Sequence, residues 1–195
     1  MTLPTPYRNL VDPLSKLKQD KWGFSIYRCT YRDNLDWELF KAIVHRRRQK
    51  DMAYSDVPEL ADSLEWTFIE DRNSLEDASK DHVRTRHREW AAEAFRIENP
   101  RAASDAFDCP RYRYFIQVDE KALQSVLSAP GCDVYGGGYV DFVDSQWEPI
   151  GEEEDEDEDE YASCAEDRET FDSIEGCTEE DVGWIKIAAD MIDAN

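Results

Sequence analysis

Histidine and cysteine are the side chains of this chain best suited to catalysis or metal binding, but their spacing does not favour either. The histidines are His45, His82 and His87, and the five cysteines are spread from Cys29 to Cys177. On one helix, His82 and His87 would point about 140° apart, so they cannot share a metal as the histidines of an HExxH motif do. No two cysteines have CxxC spacing. We therefore predict no metal site and no cofactor.

The same side chains also have structural interpretations. His87 falls on the apolar stripe of a predicted helix, which favours a packing role. His82 falls on the polar stripe near Arg86 and could act as an acid or a base, but no serine, cysteine or carboxylate partner can be assigned to it. A cysteine in a strand, such as Cys29, is a nucleophile only where neighbours lower its pKa. Otherwise it is a small buried hydrophobic residue.

Two arginines occupy predicted strands, where they could bind an anionic ligand. Alternation along the first strand puts Arg28 on the face that also carries Phe24 and Ile26, and Arg113 has a comparable place in the third strand. A strand arginine can offer a bidentate fork to a carboxylate or phosphate. It can equally pair with a neighbouring acid or emerge at the rim of the sheet, so both alternatives remain open.

Hydrophobic periodicity predicts four strands and three helices in the central part of the chain. Alternating aromatic residues indicate the strands, and apolar residues three and four apart indicate the helices. The predicted strands span residues 22–31, 64–69, 112–118 and 139–143, and the predicted helices span 35–50, 79–97 and 120–128. Asp33 or Asn34 can cap the first helix, and Asp119 the last. The basic run 45–50 suits the C-terminal turn of the first helix.

The order of these elements predicts an α+β fold. Residues 27–44 and 112–127 each read as an aromatic strand, an acidic cap and an amphipathic helix, and another strand follows each of them. This pattern predicts a ferredoxin-like doubled β-α-β unit with the helix 79–97 inserted between the halves. We expect a mainly antiparallel sheet of four or five strands with helices on one face. The apolar segment 182–192 should return to it as a last strand or a short helix.

The charge is unevenly distributed along the chain. The net charge is −22, of which residues 148–195 carry −18 and residues 1–147 only −4. The acidic run 151–160 predicts a solvated, disordered loop near the C-terminus and lacks the ligand spacing of an EF-hand. Because phosphates would be repelled, direct binding to nucleic acid or to anionic lipid is not expected.

These patterns divide the chain into four predicted parts. They are an irregular arm at 1–20, an α+β domain at 21–147, an acidic disordered loop at 148–181 and a returning segment at 182–195. The first residues lack the apolar run of a secretory signal, and no segment approaches the roughly 18 apolar residues of a membrane span. With an odd number of cysteines, these features predict a reduced, cytoplasmic protein, and a nuclear location remains open.

Four stretches carry a resemblance to a protein family. They read WGFSIYRCTYRDNLDWELF, LEWTFIED, VRTRHREWAAEAF and PRYRYFIQVDEKALQSVL. Together they resemble a large family of uncharacterised small proteins of filamentous fungi, over about residues 20–147 and again near 182–187. The resemblance implies a fungal origin and a family with many paralogues, which suits binding or accessory roles. It implies no catalytic residues.

The sequence leads to three hypotheses about function. The first is a non-enzymatic binding or interaction module that uses an open sheet face or an aromatic edge. The second is a small enzyme or ligand-binding accessory protein of secondary metabolism, with a pocket between sheet and helices. The third makes the acidic loop a nucleic-acid mimic that occupies a basic partner. The candidate ligand-binding residues are Tyr27, Arg28, Trp66, His82, Arg86, Tyr112 and Tyr114.

Overall fold

The computed structural model describes a mixed sheet with helices. It covers residues 20–54, 62–102, 105–129, 138–149, 173–174, 177–178 and 180–192. The strands are β1 (Ser25–Arg28), β2 (Thr67–Ile69), β3 (Tyr114–Val118), β4 (Tyr139–Asp144) and β5 (Trp184–Ala188). The helices are α1 (Asn34–Tyr54), α2 (Arg72–Leu75), α3 (Lys80–Glu98), α4 (Pro110–Arg113) and α5 (Glu120–Leu127), with 3₁₀ turns at Ala106–Asp108 and Ala189–Ile192.

The five strands form one sheet in the order β2-β1-β3-β4-β5. The pairs β1–β2 and β1–β3 are parallel, whereas β3–β4 and β4–β5 are antiparallel. The fold is therefore α+β, as predicted, but the sheet is mixed and not mainly antiparallel. All four residues of β1 are buried, as is usual for a strand between two parallel neighbours.

Helices cover both faces of the sheet, which corrects the expectation of helices on one face. The first face carries Ile26 and Ile116, which pack with Trp37 and Phe40 of α1 and with Leu123 of α5. The second face carries Tyr27, Phe115 and Val143, which pack with Val83 of α3 and with Leu75 of α2. Alternate residues of one strand therefore enter two separate hydrophobic clusters.

The predicted helix starts are confirmed by their caps. Asp33 Oδ1 accepts a hydrogen bond from Leu35 N at 2.7 Å, and Asp119 Oδ1 accepts one from Ala122 N at 2.7 Å. The Oγ of Ser79 accepts one from His82 N at 3.3 Å at the start of α3. The end of α1 differs from the prediction. The helix continues to Tyr54, so the basic run 45–50 lies inside it and not in its last turn.

Three strands are shorter than predicted. The first, predicted over 22–31, spans only Ser25–Arg28, and the other two lose their first residues. Pro110 occupies the first position of α4, where its fixed φ favours a helical turn, so Tyr112 is helical and β3 begins at Tyr114. The predicted second strand 64–69 begins only at Thr67, and Leu64 forms an isolated bridge to Trp22.

The ferredoxin-like doubling is not confirmed, because the two β-α units end differently. The unit that starts at β1 leads through α1 to β2, which is parallel to β1. The unit that starts at β3 leads through α5 to β4, which is antiparallel to β3. A 21-residue helix can carry the chain back for a parallel crossover, whereas the eight residues of α5 span only about 12 Å.

The apolar C-terminal segment returns to the sheet. Residues 184–188 form β5, paired with β4, and a 3₁₀ turn follows in which Ala189 and Ile192 are buried in the first-face cluster. Residues 1–19 of the predicted arm (1–20) and most of the predicted acidic loop (148–181), including the run 151–160, lie outside the described residues. The four-part division therefore stays a prediction. Among the described residues, no helix is long and apolar enough to cross a membrane.

Arg84 of α3 joins the helix to the segment that returns to β5. Its side chain is 5% exposed and donates hydrogen bonds to the carbonyl oxygens of Asp144, Val182 and Gly183, at 3.0–3.2 Å. It also pairs with Asp81 and lies over the ring of Trp147 at 4.6 Å. One buried guanidinium thus donates to three backbone carbonyls, of which that of Gly183 also accepts from the amide of Asp144 at 3.0 Å.

We expect the substitution Arg84→Ala to lower the free energy of unfolding by about 3 kcal/mol, because buried carbonyls lose charged donors. Urea denaturation followed by far-UV circular dichroism measures this loss. The matched control is Arg86→Ala, two residues along the same helix, where an exposed guanidinium is removed and the loss should stay below about 0.5 kcal/mol. Equal losses in the two variants would contradict this role of Arg84.

Candidate functional site

A groove with a volume of about 280 Å³ opens between α3, α2 and the end of β2 on the second face of the sheet. Its size approaches the lower end of small-ligand pockets. Its lining comprises Tyr27, Ile69, Asp71, Ser74, Leu75, Arg86, Glu89, Trp90 and Glu93. The residues from α3 are spaced three and four apart and so lie on one side of that helix. We call this feature the α3 groove.

The charged lining of the α3 groove is predominantly acidic. Asp71, Glu89 and Glu93 oppose a single guanidinium, that of Arg86. Arg86 lies 3.8 Å from Asp71 and 3.5 Å from Glu89, so its charge is shared between two carboxylates. The Oγ of Ser74 donates a hydrogen bond to Asp71 at 2.7 Å and helps to hold the pKa of that carboxyl below its usual value. The groove therefore keeps an excess of negative charge at neutral pH.

The floor of the groove is aromatic and is built on a buried histidine. The hydroxyls of Ser25 and Tyr27 lie 3.2 and 3.3 Å from Nδ1 of His87, and Nε2 of His87 lies 2.8 Å from the carbonyl oxygen of Tyr112. Because a carbonyl only accepts, Nε2 carries the proton, and the single lone pair of Nδ1 is the acceptor that the two hydroxyls share. The ring of Trp90 lies 5.4 Å from the imidazole. Hydrogen bonds and ring contacts with His87 therefore position Tyr27 and Trp90 at the floor of the groove.

His87 is neutral in the folded protein. Burial lowers its pKa to about 4, against a hydrogen bond to Tyr112 that acts in the opposite direction, and the nearby Arg111 lowers it further. Both ring nitrogens are occupied by protein groups. The packing interpretation of His87 therefore agrees with the structure, and the imidazole supports the floor of the groove from within.

Of the seven candidate residues, the structure brings only Tyr27 and Arg86 together, at the α3 groove. Arg28 is buried on the other face, where it donates hydrogen bonds to the Thr30 carbonyl and to Asn34 Oδ1, both at 2.7 Å. It also pairs with Glu70 at 3.4 Å. These contacts favour the interpretation that Arg28 pairs with neighbouring protein groups.

The remaining candidates are dispersed. Trp66 is buried on the first face, with its ring 6.2 Å from that of His45. His82 is exposed at the start of α3. Tyr112 donates a hydrogen bond to Glu98 at 2.8 Å beneath the C-terminal end of α3, and Tyr114 stacks on Phe142 with ring centroids 5.0 Å apart. These residues do not form one site with the groove.

Cys29 does not have the environment of a reactive cysteine. Burial raises its pKa to about 12, and the carboxylate of Asp119 adds to that rise more strongly than Lys80 opposes it. The thiol is therefore protonated at neutral pH, and thiolate chemistry is disfavoured. Its place beside Tyr27 and Leu75 in the second-face cluster agrees with the interpretation of a small buried hydrophobic residue.

Four side chains that line the groove were not predicted as candidates: Asp71, Glu89, Trp90 and Glu93. The helical period puts Glu89 and Glu93 on the polar stripe that carries His82 and Arg86, and Trp90 on the apolar stripe that carries His87, which by itself assigns no joint role to them. A signal was present, since Arg86, Trp90 and Glu93 follow one another at intervals of four and three residues. Asp71 could not be joined to them, because only the fold brings α2 beside α3.

A second cavity, of about 450 Å³, lies at the other side of α3. The indoles of Trp147 and Trp184 contribute to its wall, together with Arg88, Thr85 and Cys177. Arg88 donates a hydrogen bond to the Ser145 carbonyl at 3.0 Å and lies 4.0 Å from Glu148, so its charge is partly balanced. This cavity has the size of a pocket for a small organic molecule.

Comparison with known proteins adds no relative. The chain matches no family model, no curated protein and no solved structure at a significant level. The resemblance to a family of filamentous fungi stays a prediction. The chemistry of the two cavities is therefore the observation that bears on function.

We expect stability to depend on the protonation of His87 between pH 6.5 and 4. The unfolded chain binds the proton near pH 6.5, whereas the folded protein resists it until about pH 4. This contribution is complete above pH 6.5 and is lost as the pH falls. By pH 5 the loss amounts to about 2 kcal/mol.

Urea denaturation at pH 7.5 and pH 5 tests this expectation. The native protein should lose about 2 kcal/mol more than the variant His87→Gln, whose side chain does not titrate. The variant His82→Gln, which removes an exposed histidine from the same helix, should keep the full response. An identical pH response in all three proteins would show that His87 is not buried as a neutral imidazole.

Proposed function

We propose that this protein is a binding module that accepts a cationic group in the α3 groove. The observation that carries the proposal is the composition of the groove, in which Asp71, Glu89 and Glu93 surround an aromatic floor and only Arg86 opposes them. A partly desolvated ammonium gains both from carboxylates and from an aromatic face. The first hypothesis placed binding on an open sheet face or an aromatic edge. Because helices cover both faces of the sheet, we place the binding site in the groove beside β2.

The overall charge supports the same type of ligand. A protein of net charge −22 attracts cations and repels anions over distances of several ångströms. Such a field raises the rate at which a basic partner arrives, while the carboxylates of the groove provide the close contacts. The ligand class is therefore a primary amine or guanidinium, carried by a small molecule or by a partner protein.

A second candidate function rests on the larger cavity. With two indoles and a partly balanced arginine, it suits a neutral aromatic or amphipathic small molecule. This would be the role of a ligand-binding accessory protein or a small enzyme of fungal secondary metabolism, the second hypothesis from the sequence.

A reduced compartment such as the cytoplasm fits the buried thiol of Cys29. The nucleic-acid mimic remains a hypothesis about residues outside those described.

Titration with Nα-acetyl-lysine amide, followed by NMR, tests the cationic groove. We expect shifts of the Trp90 indole signal and of amides near Asp71 and Glu93, and no such shifts with Nα-acetyl-glutamine amide. The double variant Glu89→Gln with Glu93→Gln should weaken binding about fivefold, since two exposed charge pairs at about 0.5 kcal/mol each contribute about 1 kcal/mol in total.

A variant with the same loss of charge elsewhere serves as the control. Glu38 and Asp62 are exposed and lie outside the groove, so Glu38→Gln with Asp62→Asn should leave the affinity within about twofold, apart from the screened long-range field. Equal weakening in both double variants would mean that net charge alone binds the amine. Shifts that avoid Trp90 would remove the groove from the proposal.

A further inference from the structure

The outer edge of β2 lies beside the α3 groove. Within the described residues, β2 is paired on one side only, with β1. The amides of Glu65 and Thr67 donate to the carbonyls of Trp22 and Phe24, at 2.9 and 3.1 Å. Since successive residues of a strand point their backbone groups to opposite sides, the N–H and C=O of Phe68 point away from β1. They are positioned to pair with a further strand.

The two edges of the sheet differ in how they resist such pairing. An exposed edge is commonly protected by a charged side chain, above all a lysine. The edge strand β5 carries Lys186 at its centre. The edge strand β2 reads Thr-Phe-Ile and contains neither a charge nor a proline. Of these two edges, β2 is therefore the one whose sequence permits an added strand.

A strand added to β2 would place side chains into the groove. Ile69 is paired with Tyr27 in the sheet, and both line the α3 groove. A new strand would lie about 4.8 Å beyond β2, with every second side chain on the same face as Ile69. On that face the groove offers the carboxylates of Asp71, Glu89 and Glu93, which attract a basic side chain. Its one guanidinium, that of Arg86, is paired with Asp71 and Glu89.

We propose that the cation in the α3 groove is a lysine or arginine side chain on an extended segment of a partner protein, which pairs with the outer edge of β2. The inference rests on the proposed function, since it supplies the source of the cationic group. Main-chain hydrogen bonds to β2 provide affinity, and the groove selects the basic side chain at alternate positions.

A different protein is a better partner for this edge than a second copy of the chain. Two copies joined through β2 would bring two acidic grooves together and would also oppose the net charges of −22. The β2 strand itself has three residues and no basic side chain to offer to the groove of its partner. Charge complementarity therefore selects a basic segment of another chain.

Peptides with a modified backbone test this inference on the intact protein. The probe is a capped heptapeptide with one central lysine flanked by threonine and valine, and two versions carry N-methyl groups at alternate residues, either the odd or the even ones. A strand directs only alternate N–H groups toward its neighbour. One methylated version should bind at least tenfold more weakly than the parent peptide, and the other within about threefold of it.

The outcomes separate this inference from the proposed function. If both methylated peptides bind as well as the parent but lysine remains necessary, the groove binds the cation without strand pairing and the inference is overturned. If Nα-acetyl-lysine amide also fails to bind, the proposed function falls as well. Analytical ultracentrifugation tests the alternative of a second copy. A concentration-dependent dimer that the peptide does not dissociate would place a second copy on the edge of β2 and would also overturn the inference.

Discussion

Burial of β1 on both faces is the constraint on which the rest of the structure depends. The strand lies between two parallel neighbours, and each of its side chains must find partners inside the protein. Ser25 and Tyr27 find theirs on the second face, in His87 of α3. Arg28 finds its partners on the first face, in Asn34 at the start of α1 and in Glu70 after β2. Polar residues of one strand thus position helices on opposite faces of the sheet.

The position of the groove follows from that constraint. Once His87 is directed at Ser25 and Tyr27, the 3.6-residue period of α3 places Arg86, Trp90 and Glu93 on the side toward β2. The residues that could bind a ligand are therefore neighbours of a residue required for the core. Because His87 is buried and neutral, the folded protein loses stability as the pH falls. The same imidazole offers an acceptor to the hydroxyls of Ser25 and Tyr27 and a donor to the carbonyl of Tyr112. The contacts of His87 beneath the α3 groove therefore restrict the motion of the side chains that line it.

Local sequence patterns predicted most of the helices and strands. The direction of strand pairing and the grouping of the site residues depend on contacts between distant parts of the chain, which those patterns do not encode. Asp33 and Asp119 were identified as caps because a cap depends only on residues two or three positions away. The parallel pairing of β1 with β2 and β3 depends on partners about 40 and 90 residues distant in the chain, for which alternation of side chains carries no directional information. The same limit applied to the site. Tyr27 and Arg86 were predicted as separate candidates, but only the parallel sheet brings Asp71 beside them.

The acidic character of the chain and the open edge of β2 have a joint consequence. An unprotected edge strand normally exposes a protein to self-association, because any extended chain can pair with it. Here the carboxylates of the groove line one side of that edge, and copies of the chain repel one another through their large negative charge. Electrostatic repulsion thus protects the edge of β2 from self-association, whereas Lys186 protects the edge of β5. The repulsion is selective, because a segment that carries positive charge is not repelled.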